Sequence, residues 1–221
     1  MKDLPFTVYD FFAYLASGFW LLLIIGIGIH QPWYTVTDIS SLTLLAWIVI
    51  AYITGHVIAH LSGTLLETML VHGHLQRDMA ILFEQPKDWR PKIFPGFFKP
   101  LPATTQQRVL DRAVKAKITT PDEALFLHAL AIVKNDTVAF GRMNTFLALY
   151  GFARNISMAS LLGMITLVIT SFPGGITSTP DWYRVAQITL LLLIAIIMFY
   201  RYLKFYRLYT VEIYTTYAEG A

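Results

Sequence analysis

Four apolar stretches punctuate the chain, and each is long enough to cross a bilayer, which takes about 20 apolar residues in a helix. The first is Phe11–Ile29. The second begins near Ser41 and carries no formal charge until Glu67. The third runs from Asn155 to about Phe172, and the fourth is roughly Trp182–Tyr200, charged only at Arg184. Between the second and third, the pattern changes to that of a small soluble unit. Thr104–Lys117 sets Val109, Ala113 and Ala116 against Arg108, Asp111, Arg112 and Lys115, an amphipathic helical spacing. A second helix runs to about Lys134. Thr120 is its predicted N-cap, Pro121 stands at its first helical position, and Glu123 closes a capping box. Asn135-Asp136 ends it, and from Thr137 a helical pattern passes without a breaker into the third span. The five prolines of Pro86–Pro102 exclude a regular helix there.

These patterns predict an all-α integral membrane protein with four transmembrane helices and a small helical cytoplasmic insert between helices 2 and 3. The expected division is 1–70 for helices 1 and 2, 71–147 for the insert, and 148–221 for helices 3 and 4 with a basic, aromatic C-terminal tail lying along the inner surface. Composition agrees. The 221 residues are 56% hydrophobic and 14% charged, against about 25% charged in average soluble domains. There are no cysteines, so disulfides and thiolate metal sites are excluded. Lys and Arg are absent from the links after the first and third spans, whereas the insert His72–Asn144 holds eleven and the tail adds Arg201, Lys204 and Arg207. The positive-inside rule then places both termini and the insert in the cytoplasm of a multi-pass inner-membrane protein. Aromatics stand at the predicted interfaces: Phe11, Phe12 and Tyr14, Trp33 and Tyr34, Trp182 and Tyr183, and Tyr200, Tyr202 and Tyr206.

Chemistry concentrates in GHVIAHLSGTLLETMLVHGHLQRD, Gly55–Asp78. On one continuous α-helix at about 100° per residue, His56 and His60 lie about 40° apart, Glu67 returns to within about 20° of His56, and His74 and Asp78 continue the same face. Gly55, Ala59 and Gly63 form a neighbouring row of small residues that admits another helix closely, and Ala159 and Gly163 offer the same in the third span. Charge at membrane depth is costly, so an intramembrane ionisable face is a functional hypothesis by default. One reading is a polar seam or gate built from His56, His60 and Glu67, with Glu67 paired to Arg154 at similar depth and copies of the chain assembled around the face. The other is a metal-dependent membrane enzyme that uses a metal site on His56 and His60, whose i,i+4 spacing suits a shared metal. Glu67 lies about 10 Å further along the axis, too far to complete it. Cofactors are otherwise not expected. Hydroxylases and desaturases of membranes need more histidines than the six present and an HxxHH box, His74–Asp78 is not the H-x4-D of acyltransferases, and no GxS elbow, Walker loop or HExxH is present. The chain therefore reads as a non-enzyme.

His30 reads as an interfacial polar residue and His128 as a packed core histidine. In the proline-rich loop, Lys87, Trp89, Arg90, Lys92, Phe97, Phe98 and Lys99 interleave basic and aromatic side chains. That suits a lipid headgroup surface, and equally an aromatic loop packed over the insert; direct nucleic-acid binding is not expected. Asn135-Asp-Thr and Asn155-Ile-Ser match the glycosylation pattern, which has no meaning at cytoplasmic or buried positions.

VYDFFAYLASGFW near the start, GHVIAHLSGTLLE in the second span and LYGFARN before the third resemble small four-span bacterial inner-membrane proteins found near anti-phage defence genes. In size and plan the chain is similar to the membrane subunit of the Kiwa defence system. The resemblance implies an oligomeric membrane sensor or channel-like effector in antiviral defence, with a cytosolic protein partner docking on the insert. A passive membrane anchor is the plainer alternative.

Overall fold

The computed structural model describes residues 8–29, 40–76, 82–118, 120, 123–171 and 182–220. All regular structure among them is helical: α1 (Val8–Gly28), α2 (Ser41–Ser62), a π-helix (Gly63–Gln76), α3 (Arg90–Ile93), α4 (Ala103–Lys115), α5 (Glu123–Val133), α6 (Thr137–Ser171) and α7 (Trp182–Glu219). Among the described residues, three helical stretches are long and apolar enough to cross a membrane: Ser41–Val71, Thr137–Ser171 and Trp182–Glu219. The apolar part of α1, Ala13–Gly28, is shorter.

Local chemistry sets several boundaries. The Ser40 hydroxyl accepts the Thr43 N–H at 3.1 Å and caps α2. Asp136, which ends the preceding helical pattern, starts the next helix: its Oδ1 accepts from the N–H groups of Val138 and Ala139. α4 closes in a Schellman motif, with Lys117 at φ 60° and the Ile118 N–H donating to the Ala113 carbonyl. Pro121 and Asp122 of the predicted capping box lie outside the described residues.

One unit comprises Met1–Glu67 and Gly151–Tyr202. α1 is its centre. α1 runs antiparallel to α2, and the two backbones touch where they cross. A Cβ at Gly18 would lie 1.8 Å from the Ala51 carbonyl oxygen, and one at Gly55 would lie 1.9 Å from that of Tyr14. No other residue fits either place without moving a helix. α1 runs parallel to α6, with Ile24 filling the space above Gly163 and Leu21 packed with Met158 and Ala159. Against α7, Ile24 meets Leu191 in a cluster completed by Leu167.

The other unit comprises Thr68–Tyr150 and Leu203–Ala221. Its core joins Val109 and Ala113 of α4, Leu125, Ala129 and Val133 of α5, Met143 of α6, and Ile213, Tyr214 and Tyr217 of α7. The expected surface-lying tail is therefore corrected: it continues α7 and supplies core. Small units bury little apolar surface, and the tail residues Ile213, Tyr214 and Tyr217 add to this core. Arg112 donates to the Tyr217 carbonyl, and Arg142 pairs with Glu212 at 2.6 Å. His128 packs edge-on against Tyr217, with centroids 5.8 Å apart.

A second correction concerns Gly55–Asp78. The α-helix ends at Ser62 and a 14-residue π-helix follows. Its i→i+5 bonding turns less per residue than an α-helix, so the face drawn at a constant α-helical angle does not extend past Gly63. Asp78 and the side chains of His72 and His74 are outside the described residues.

Gly55→Ala is expected to cost about 3 kcal/mol, as overpacking against a backbone that cannot yield. Gly151→Ala, whose Cβ meets nothing within 4 Å, is expected to be neutral or stabilising by up to about 1 kcal/mol. Denaturant unfolding in mixed micelles compares the two.

Candidate functional site

α6 carries a line of polar side chains into an apolar bundle, and each meets a different neighbour. The Ser62 hydroxyl donates to Asn155 Oδ1 at 2.8 Å, with both residues buried. Arg154 donates to and pairs with Glu67 near the start of the π-helix, their side chains 15% and 23% exposed. Gly63 lies beneath this pair, where a Cβ would approach an Arg154 guanidinium nitrogen to 3.8 Å. Further along α6, the Ser157 hydroxyl donates to the Ala195 carbonyl at 2.9 Å, and the Ser160 hydroxyl accepts from Trp20 Nε1 at 3.0 Å. Arg184, at the beginning of α7, donates to the Ile27 carbonyl near the end of α1. Without water, every such group needs an internal partner, and these bonds provide one.

The structure therefore brings Glu67 and Arg154 together. Both histidines are exposed on α2. The His56 ring stacks on Tyr14, with centroids 4.3 Å apart, and meets Tyr52 edge-on at 4.6 Å; Tyr52 in turn contacts Phe11. Among the described residues, no group of three or more His, Asp or Glu side chains is placed to hold a metal. Of the small-residue row, Gly55 packs against the α1 backbone at Tyr14 within the same chain. Ala59 is half-buried and Gly63 adjoins Arg154. Ala159 and Gly163 pack against α1. His30 lies outside the described residues.

The proline-rich loop divides. Phe97 and Phe98 are buried, ring edge to ring face, and Phe97 also packs on Tyr206. Arg90 turns inward over the Phe98 ring and bridges Asp88 at 2.6 Å, holding that carboxyl below the usual carboxylate range. These three do not form the predicted headgroup surface, because burying the rings also draws in the guanidinium that stacks on one of them. Lys87, Trp89, Lys92 and Lys99 remain exposed.

Sequence reasoning missed the partners of Ser62, Ser160 and Arg184. The available signal was polar residues inside apolar runs, but that names a need for a partner, not the partner. No protein-family model, curated protein or solved structure matches the chain.

Removing one member of the ion pair strands the other in a low-dielectric setting. Arg154→Met or Glu67→Gln alone is expected to destabilise by about 3 kcal/mol, and the double variant by less than either single one. A double-mutant cycle of unfolding free energies measures the coupling.

Proposed function

We propose that the chain is a non-enzymatic, self-associating inner-membrane protein, a sensor or channel-like effector subunit, in which α2 presents His56 and His60 to a second copy. The observation that carries this reading is the exposure of both imidazoles on a helix surrounded by apolar exposed residues such as Ile53 and Val57. Lipid tails offer an imidazole N–H or ring nitrogen no partner, whereas a facing helix does, and inter-helical hydrogen bonds of this kind contribute about 0.6–2 kcal/mol.

In this proposal α1 is a fourth span. It lies alongside α2, α6 and α7 from Tyr14 to Gly28, and its 21 residues extend about 30 Å as an α-helix, the thickness of a hydrocarbon core. Both termini and the insert face the cytoplasm, as the eleven basic residues of His72–Asn144 favour. The likeness to the Kiwa membrane subunit extends the proposal to phage defence with a cytosolic partner, for which exposed Val114, Leu127 and Val138 offer apolar contacts on the insert.

The test is the mass of the protein in nanodiscs, with bound metal quantified on the same sample, for the natural chain and for His56→Leu/His60→Leu. The expected result is a metal-free oligomer that dissociates in the double variant. A monomer, or an oligomer indifferent to the substitutions, overturns the proposal. Stoichiometric metal lost in the variant replaces it with a metal site completed between copies. Ion flux in liposomes then separates the channel-like subunit from a sensor or a passive anchor.

A further inference from the structure

The single turn α3 and its flanks are built unlike the rest of the insert. Trp89 caps the turn, and Trp89, Lys92 and Ile93 stand at i, i+3 and i+4, the spacing that places side chains on one face. Trp89 is 57% exposed and Ile93 49%. Arg90, on the opposite side of the turn, points inward to Phe98. The surface so formed is basic. Lys87 and Lys92 are exposed beside it in the chain and Lys99 further along the same loop, and the charge of Asp88 is already met by Arg90, leaving exposed Glu84 as the nearest remaining acid along the chain.

Such a turn is too short to hold its shape alone, and here its base is fixed from within the same unit. Phe97 and Phe98 are buried beneath it, the Leu101 N–H donates to the Leu82 carbonyl at 2.9 Å, and Arg207 donates to the Lys99 carbonyl. The Trp and Ile are thus presented on an ordered support, so occupying them costs little further ordering. A rigid tryptophan with an adjacent aliphatic side chain, and with exposed lysines in the same loop, matches the layer between lipid headgroups and acyl chains. There the indole is amphipathic enough to sit, and Lys ammonium groups meet anionic phosphates. Nucleic acid would also accept lysine and an aromatic ring, but it offers no apolar layer for Ile93.

We infer that Trp89 and Ile93, with the exposed Lys87, Lys92 and Lys99 of the same loop, form a docking surface for an anionic lipid headgroup layer. The inference needs only that the chain resides in a membrane and is independent of the proposed self-association. Because other apolar helices of the chain lie in the same bilayer, the contact forms within one complex. It therefore changes the position of the surface and not the protein's membrane affinity.

The absence of cysteine permits a clean test. Full-length Ile93→Cys, labelled with an environment-sensitive fluorophore, is reconstituted in nanodiscs of zwitterionic lipid with or without added phosphatidylglycerol; Val114→Cys, on exposed Val114 of α4, serves as control. The expected result is a blue-shifted label, quenched by spin-labelled lipid, at position 93 only when phosphatidylglycerol is present, with the shift reversed by high salt. Each Lys→Gln change at 87, 92 or 99 is expected to lower the ratio of docked to undocked surface about five-fold. Salt reversal on the single-cysteine protein keeps the test valid if a multiple-lysine variant fails to fold. A label equally wet in both lipids overturns the inference, as does one shielded by added RNA and not by anionic lipid.

Discussion

The contact on which the bundle depends is between two backbones. Gly18 and Gly55 bring α1 and α2 together so closely that each glycine faces a carbonyl oxygen of the other helix or its neighbourhood. In lipid there is no hydrophobic force to press helices together, because the acyl chains are as apolar as leucine. Close van der Waals approach must supply the attraction, and small residues permit it. The same logic recurs where α1 meets α6: Gly163 leaves the room that Ile24 fills, and Gly28 lies against Leu167. α1 has the shortest apolar segment of the helices in its unit and yet touches all the others. Its role is that of a small-residue core around which three longer helices are arranged.

Van der Waals contact alone does not specify which helix faces which, since a greasy surface accepts many partners. The polar line on α6 narrows the choice. Asn155 requires Ser62, Arg154 requires Glu67, Ser157 reaches the Ala195 carbonyl and Ser160 receives the Trp20 indole. A rotated or shifted packing would leave several of these groups unsatisfied in the apolar interior, at a cost of a few kcal/mol each. Arg184 does the same at the other end by meeting the Ile27 carbonyl, one of the acceptors that an α-helix leaves open at its C-terminus. The polar groups thus set register, while the glycines set distance.

The helix boundaries were legible where punctuation is local. Asn135-Asp136 as a helix end and the uninterrupted run from Thr137 could be read from side-chain chemistry and periodicity, and α6 begins at Thr137; the capping roles of Ser40 and Asp136 emerged only in the structure. The polar interface was half legible. Glu67 and Arg154 stand out as charges at the edge of apolar runs, but Ser62 and Ser160 look like ordinary small residues until a neighbour is placed beside them. Two features were hidden. The π-helix after Ser62 leaves no mark in composition, because its residues are as compatible with an α-helix, and the error it causes in a helical wheel grows with every residue. The tail was also misjudged. Tyr214 and Tyr217 look like interfacial aromatics, yet they are buried in the core that α4 and α5 share, and nothing in their own sequence names that neighbour.

The exposed faces of α2 and α7 differ in a way that bears on what covers each. α7 turns Leu190, Leu193, Ile196 and Ile197 outward, and the Thr189 hydroxyl beside them returns its hydrogen bond to the Val185 carbonyl. That surface asks nothing of its surroundings that acyl chains do not provide. α2 buries Ala51, Gly55, Ile58 and Ser62 along one side and turns the rest outward, where Ile53 and Val57 are joined by His56 and His60. An imidazole cannot return both its nitrogens to its own backbone as a threonine returns its hydroxyl. Stacking on Tyr14 and Tyr52 orients the His56 ring but satisfies neither nitrogen, since these are face and edge contacts. The two exposed faces therefore differ chemically: Leu and Ile side chains dominate on α7, whereas α2 adds two imidazoles.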